Sequence, residues 1–387
     1  MESDLAPLTE TFYRRKVNQI QDRLYENRVD GLLLLNTDNV VYASGFFHSP
    51  TERPVGFYVP ARGEPILFIP LLEQENAGET WVGDIRTYFE FPGEEHPILW
   101  MARECGARRL GLDSVPHIIF EQVRRLGVMP TITNLVEKLR HIKEPEELLL
   151  VAQAARYADV CLQYIKDQTS NILQDGGTEV DILHACLTST RERMDKELGG
   201  AFLNIKNSIV GSVHTGPRAA LPHGKPIDRS PKKGDVLIAG IGASVGGYHG
   251  ESGATFILGD ATAEQLHCLR AAAACDAATA ASLRPGITCA EVNSVALEVL
   301  DEAGYKEHIR HRIGHGMGVQ GHESPWLAPG DKTELQPAMV FSSEPGIYRP
   351  GIDGYRTINT LIVTPGKAHI ASRFLAANPP ENRVITI

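Results

Sequence analysis

Residues 313–325 read I-G-H-G-M-G-V-Q-G-H-E-S-P, and residues 341–348 read F-S-S-E-P-G-I-Y. His315 and His322 lie seven residues apart in a glycine-rich, strand-like run, and Glu344 follows in a second one. Glycines let backbones approach closely, so such runs suit side chains that converge on a pocket. Glu344 sits in an apolar stretch ahead of Pro345-Gly346. A buried carboxylate needs a partner, and the two histidines are the natural ones.

Outward from these runs, the pattern alternates helices with strands. Helical periodicity covers roughly 262–282 and 288–304, and strands are expected at 339–344 and 355–364. A hairpin-like pair precedes them, 235–240 and 254–258, joined by a glycine-rich turn. Two long helical patterns, 145–168 and 177–197, open this half. Pro145 fits a first helical turn, and Glu144, Glu146 and Glu147 suit its positive N-terminal end. Helices outside and antiparallel strands inside make an α+β domain, placed at 141–387. Residues 1–140 read as a smaller α/β domain. It carries helices at 8–28, 72–79, 97–107 and 117–127 and strands at 31–35, 56–59, 66–69 and 109–112.

The chain has 387 residues, too many for one core. Its net charge of −10 argues against nucleic acid as a partner. No apolar run reaches the roughly 18 residues of a spanning helix, so no membrane role is expected. The first ten residues are polar and acidic, unlike a signal peptide. Six cysteines without C-x-x-C spacing read as reduced thiols, and a cytoplasmic location is expected.

A set of short motifs occurs in a fixed order: L-R-H-I-K-E-P-E-E at 139–147, A-L-P-H-G at 220–224 and G-D-V-L-I at 234–238. Then come G-G-Y at 246–248, G-H-G-M-G at 314–318, H-E-S-P at 322–325, E-P-G-I-Y at 344–348 and G-Y-R at 354–356. Together they resemble the pita-bread family of methionine aminopeptidases, Xaa-Pro dipeptidases and aminopeptidases, and creatinase. The resemblance spans nearly the whole chain, including the N-terminal domain of the creatinase and prolidase branches. It implies a pita-bread catalytic domain, a small-molecule or short-peptide substrate, and a homodimer.

The peptidases of this family hold two divalent ions on two Asp, one His and two Glu. Carried over, those positions fall on Gly240, Glu251, His315, Glu344 and Ile358. Two of the five have no donor atom, and two hard cations need several anionic oxygens to offset their repulsion. A dinuclear centre is therefore not expected. The resemblance then leans toward creatinase, which works without metal. It implies His223 as proton shuttle, with Glu251 and Glu344 as further catalytic groups. His315, His322, Arg356 and His249 are assigned to substrate binding, and Glu251 and Glu344 to a cationic substrate group. No cofactor is expected. One alternative is a single Mn, Co, Fe or Zn ion on Glu251, His315 and Glu344 in an Xaa-Pro peptidase. Another is a non-catalytic peptide-binding protein. His214 has no counterpart in the family patterns, Glu323 is expected to support neighbouring groups by hydrogen bonds, and Arg310-His311-Arg312 reads as a polar loop.

Overall fold

The computed structural model describes residues 5–387. The chain divides into two compact units, Pro7–Arg140 and His141–Ile387, the second also taking in Leu5 and Ala6.

The first unit is built on a six-stranded sheet ordered Asp84–Tyr88, Ile66–Pro70, Gly56–Pro60, Gly31–Leu34, Arg109–Leu112, Met129–Ile132. The four inner strands are apolar and buried, which is why they are legible in sequence. The two outer ones are half-exposed and carry polar residues, and sequence reading passes over them. The helix expected at 72–79 is a single 3-10 turn, Leu71–Glu73, followed by one short helix, Gln74–Ala77. Leu71 and Leu72 stay exposed, so no apolar stripe exists there to extend it.

The second unit carries a nine-stranded sheet. Its main path runs Glu323–Leu327, Gly314–Gly316, Val340–Ser343, Ile358–Ile362, Tyr248–Leu258, Val236–Val245, Ser208–Thr215. The expected strand 355–364 is two elements. Asp353–Arg356 pairs instead with Gly346–Arg349 in a separate ribbon, and the main sheet resumes at Ile358. Two apolar cores form against this sheet. One includes Leu269, Cys275, Val292 and Leu300 of the helices Ala263–Ser282 and Cys289–Glu302. The other takes Ala158, Leu162 and Ile165 of the helix Pro145–Gln174, with Ile182 and Cys186 of Glu179–Leu198. Thr178, Thr262 and Thr288 cap the starts of three of these helices, each in a reciprocal box with Asp181, Gln265 or Glu291.

Motifs distant in sequence lock together at the start of the long helix. Glu147 accepts from the backbone N–H of Glu144 (2.7 Å) and from the Tyr248 hydroxyl (2.8 Å). Lys143 forms a buried ion pair with Glu323 at 2.9 Å, so the support expected of Glu323 is an ion pair. Val151, Ala154, Ala155 and Ala158 face the sheet. Gly250 permits the closest approach: a Cβ there would lie 2.3 Å from the Ala155 nitrogen and 2.7 Å from the Val151 carbonyl oxygen. Its neighbour Glu251 therefore turns to the other face, away from the helix.

Gly250→Ala should lower stability by about 1–3 kcal/mol, because the contacts are backbone and cannot yield. Gly330→Ala, with open space around its Cβ, should stay within about 0.5 kcal/mol of the parent. Calorimetric unfolding of both variants checks the contrast.

Candidate active site

Backbone register sets the site. Ser212 pairs with Gly240, Gly240 with Gly253, and Gly253 with Ile358, so these four residues form one row across four strands. Two residues along, Glu251 and Thr360 occupy the same face. The Thr360 Oγ1 accepts from the Glu251 N–H and donates to the Glu251 carbonyl, both at 2.8 Å. Thr360 pairs with Ser342 and Ser342 with His315, which continues this second row to the histidine. The Ser342 hydroxyl donates to Glu251 Oε2 at 2.9 Å.

His315 is 1% exposed and lies between two carboxylates. Its Nε2 is 2.6 Å from Glu344 Oε1 and 3.9 Å from Glu251 Oε2, and its Nδ1 is 3.0 Å from the Gly316 carbonyl. With the Nδ1 proton on Gly316, a lone pair at Nε2 would face an anionic oxygen at contact distance. That arrangement requires a positive charge at Nε2, either a proton or a metal ion. Burial alone would lower the His315 pKa, but Glu344 and Glu251 together raise it. Burial alone would raise that of Glu344, but the His315 contact, with Arg356 and His311 nearby, outweighs it and brings it down to about 2. Glu251 has no such partner, and burial, with Glu344 nearby, pushes it up to about 7. His322 stacks on His315, ring centroids 3.7 Å apart. Burial and then His315 lower its pKa.

A cavity of about 600 Å³ opens onto this centre. Of the expected residues, His223, His315, His322, Glu344 and Arg356 line it. Glu251 is outside the lining, beside Ser342 and His315. His249 stands apart from the lining, its Nδ1 3.1 Å from the Gly318 carbonyl. The Arg310-His311-Arg312 segment, expected as an ordinary polar loop, contributes all three side chains to the wall. His311 Nε2 meets the Tyr348 hydroxyl at 2.8 Å, and the Arg312 guanidinium lies over Trp326 at 4.5 Å. Glu344, assigned from sequence to a cationic substrate group, already has His315 as its cation.

The family's metal positions can be tested on these neighbours. A Cβ on Gly240 would lie 2.8 Å from Arg356 Nη2 and 3.3 Å from Ile358 Cδ1, and one on Gly253 would lie 2.6 Å from Ile358 Cγ1. Glycine, aliphatic and guanidinium groups fill that corner, with no anionic oxygen among them. A dinuclear centre does not fit this donor set. A smaller set remains: Glu251, His315 and His322 each offer a ligand atom, all within 4.8 Å of one another.

A two-domain fold with a His–Glu centre at the foot of a polar cavity is that of a pita-bread hydrolase acting on C–N bonds. Residues 150–365 match Metallopeptidase family M24, and residues 16–142 match the Creatinase/Prolidase N-terminal domain. The chain belongs to metallopeptidase family M24. It is 30% identical to a probable dipeptidase PepE of Mycobacterium tuberculosis, over 86% of this chain and 87% of that one. Identity to an Xaa-Pro dipeptidase of Pyrococcus horikoshii is 27%, over 90% and 94%. Among solved structures, dipeptidase PepE from Mycobacterium ulcerans superposes with a TM-score of 0.82 at 25% identity, covering 98% of this chain and all of that one. No helix among the described residues is long and apolar enough to cross a membrane.

The Glu251 shift has a stability consequence. Its folded-state pKa is raised, so ionising it opposes folding as pH climbs from about 4.5 to about 7. In chelator-treated protein, Glu251→Gln should stabilise the fold above pH 7 by on the order of 1–3 kcal/mol and leave it unchanged near pH 4. Thermal unfolding across pH reads this directly.

Proposed function

We propose that this protein hydrolyses a C–N bond in a small polar substrate or short peptide without a dinuclear metal centre. The observation that carries the reading is the row Ser212, Gly240, Gly253, Ile358, which offers no carboxylate where the family's peptidases hold their ions. Water adds to the electrophilic carbon, forming the new C–O bond. The C–N bond breaks, and the water's displaced proton passes through His223 to the leaving nitrogen. His223 is exposed in the cavity wall, and imidazole moves protons near neutral pH. His315, charged against Glu344, and His322 beside it lie where negative charge develops on the former carbonyl oxygen. A well-placed donor there contributes roughly 3–4 kcal/mol. An already polarised C–N group needs less than a neutral peptide, which favours a creatinase-like reaction over peptide cleavage. The names of the relatives favour a dipeptide. Assembly as a homodimer, by resemblance, and a cytoplasmic location, from the reduced cysteines, belong to the same reading.

A second reading is favoured by one observation. The ligand atoms of Glu251, His315 and His322 are close enough together to hold a single divalent ion. This set takes His322 in place of the Glu344 expected from sequence. The ion would supply the positive charge that His315 Nε2 requires and would polarise the substrate carbonyl.

Elemental analysis together with turnover of Xaa-Pro dipeptides and guanidino or N-acyl compounds, before and after chelation, separates the two. The metal-free reading expects less than one ion per chain and chelator-insensitive turnover. Two tightly held ions per chain would sink both readings. His223→Ala should lower kcat by roughly 10²–10⁴-fold while substrate still binds.

A further inference from the structure

We propose that the cavity face of Arg356, the guanidinium that stands beside Gly240, binds an anion in this chain: a small oxyanion, with a carboxylate of the substrate as its source. The inference deepens the function proposed above and concerns the same cavity.

Arg356 carries the argument. It is 8% exposed and lines the cavity. Its Nη1 donates to the Pro222 carbonyl at 2.8 Å, while its Nε is buried without an acceptor. Nη2 reaches to 2.8 Å from the point where a Cβ on Gly240 would stand. An acidic residue at 240 would put its carboxylate against this guanidinium, and glycine leaves the charge without that partner. Ser212 adds a hydroxyl oxygen 3.7 Å from the same point. A buried donor without an acceptor is costly, and a guanidinium is shaped to receive two oxygens of one carboxylate. Ile358 closes the Gly240 side with an aliphatic wall, and the two carboxylates near the Arg356 charge, Glu344 and Glu251, both lie beside His315. A guanidinium with a free donor disfavours a divalent cation beside it and favours an anion.

The rest of the cavity has the same sign. Arg310, Arg312 and Arg356 line it, and none of the three forms an ion pair with a carboxylate among the described residues. The one carboxylate in the wall, Glu344, is taken by His315. Positive charge therefore stands at two levels, Arg356 deep and Arg310 with Arg312 further out, since Arg310 is exposed and Arg312 half-buried. A ligand with two carboxylates meets both levels, and a monocarboxylate meets one.

Isothermal titration and thermal shift of the full-length protein with succinate, acetate, inorganic phosphate and MnCl₂ test this without any need for turnover. Succinate is expected to raise the unfolding temperature and to bind more tightly than acetate. Arg356→Met should weaken succinate binding by about tenfold or more. Arg356→Lys should retain part of it, and Arg312→Gln, at a half-exposed position, should narrow the gap between succinate and acetate. Phosphate binding alone, lost in Arg356→Met, would support the anion site and assign it to a phosphoryl group. Unchanged succinate binding in a folded Arg356→Met protein overturns the proposal, as does stabilisation by Mn²⁺ with none by any oxyanion. Because binding is read here, an anion site can stand even if no C–N substrate is turned over, and hydrolysis can stand even if the corner proves neutral.

Discussion

Backbone pairing sets Ser212, Gly240, Gly253 and Ile358 side by side across four strands, and no anionic oxygen lies on that row. The chemistry of the cavity follows from this constraint. Without carboxylates there, Arg356 can extend along the sheet until its Nη2 lies beside Gly240, and Ile358 can pack over Gly253. The two glycines are needed for their lack of bulk, since a Cβ on either would overlap Arg356 or Ile358. The row is thus close-packed in its own way, and restoring one acidic side chain would force the others to move.

One row further along, the polar groups are intact and densely connected. Thr360, Ser342, Glu251, His315 and Glu344 form a chain of contacts from strand to strand. The two carboxylates in this chain differ sharply. Glu344 has a cation in contact and stays ionised, whereas Glu251 is desolvated beside another acid, and the more distant His315 and the Ser342 hydroxyl do not offset this. Pairs of acids pushed in opposite directions suit proton handling, because one can donate where the other holds charge.

The order of the motifs made the pita-bread fold legible, and so did the apolar strands and the capped helices. The site was legible where a residue type is rare in its setting, as with His315, His322 and Glu344 in glycine-rich or apolar runs. Register was not legible, because pairing between strands a hundred residues apart leaves no local signal. The resemblance already brought Gly240 and Ile358, 118 positions apart in the chain, to one site, but their common row with Ser212 and Gly253 emerges only in the fold. Ser342 and Thr360 were missed as small polar residues inside strands, where such residues are common. Arg310, His311 and Arg312 were read as a solvated loop because local sequence does not say which wall a loop covers. His214, unmatched in the family patterns, is fully enclosed with both ring nitrogens unpartnered, and burial and Arg356 bring its pKa down to about 3.

The ion pair of Lys143 and Glu323 has an implication for how such a site can change. Glu323 follows His322 directly, and Lys143 lies two residues before the long helix, so one enclosed salt bridge ties the domain's entry segment to the loop bearing a cavity histidine. Losing either partner alone would strand a charge in the interior, a penalty of roughly 3–5 kcal/mol. Single-step change at either position is therefore strongly opposed, and the loop that carries His322 is held by a clasp that can only be replaced as a unit.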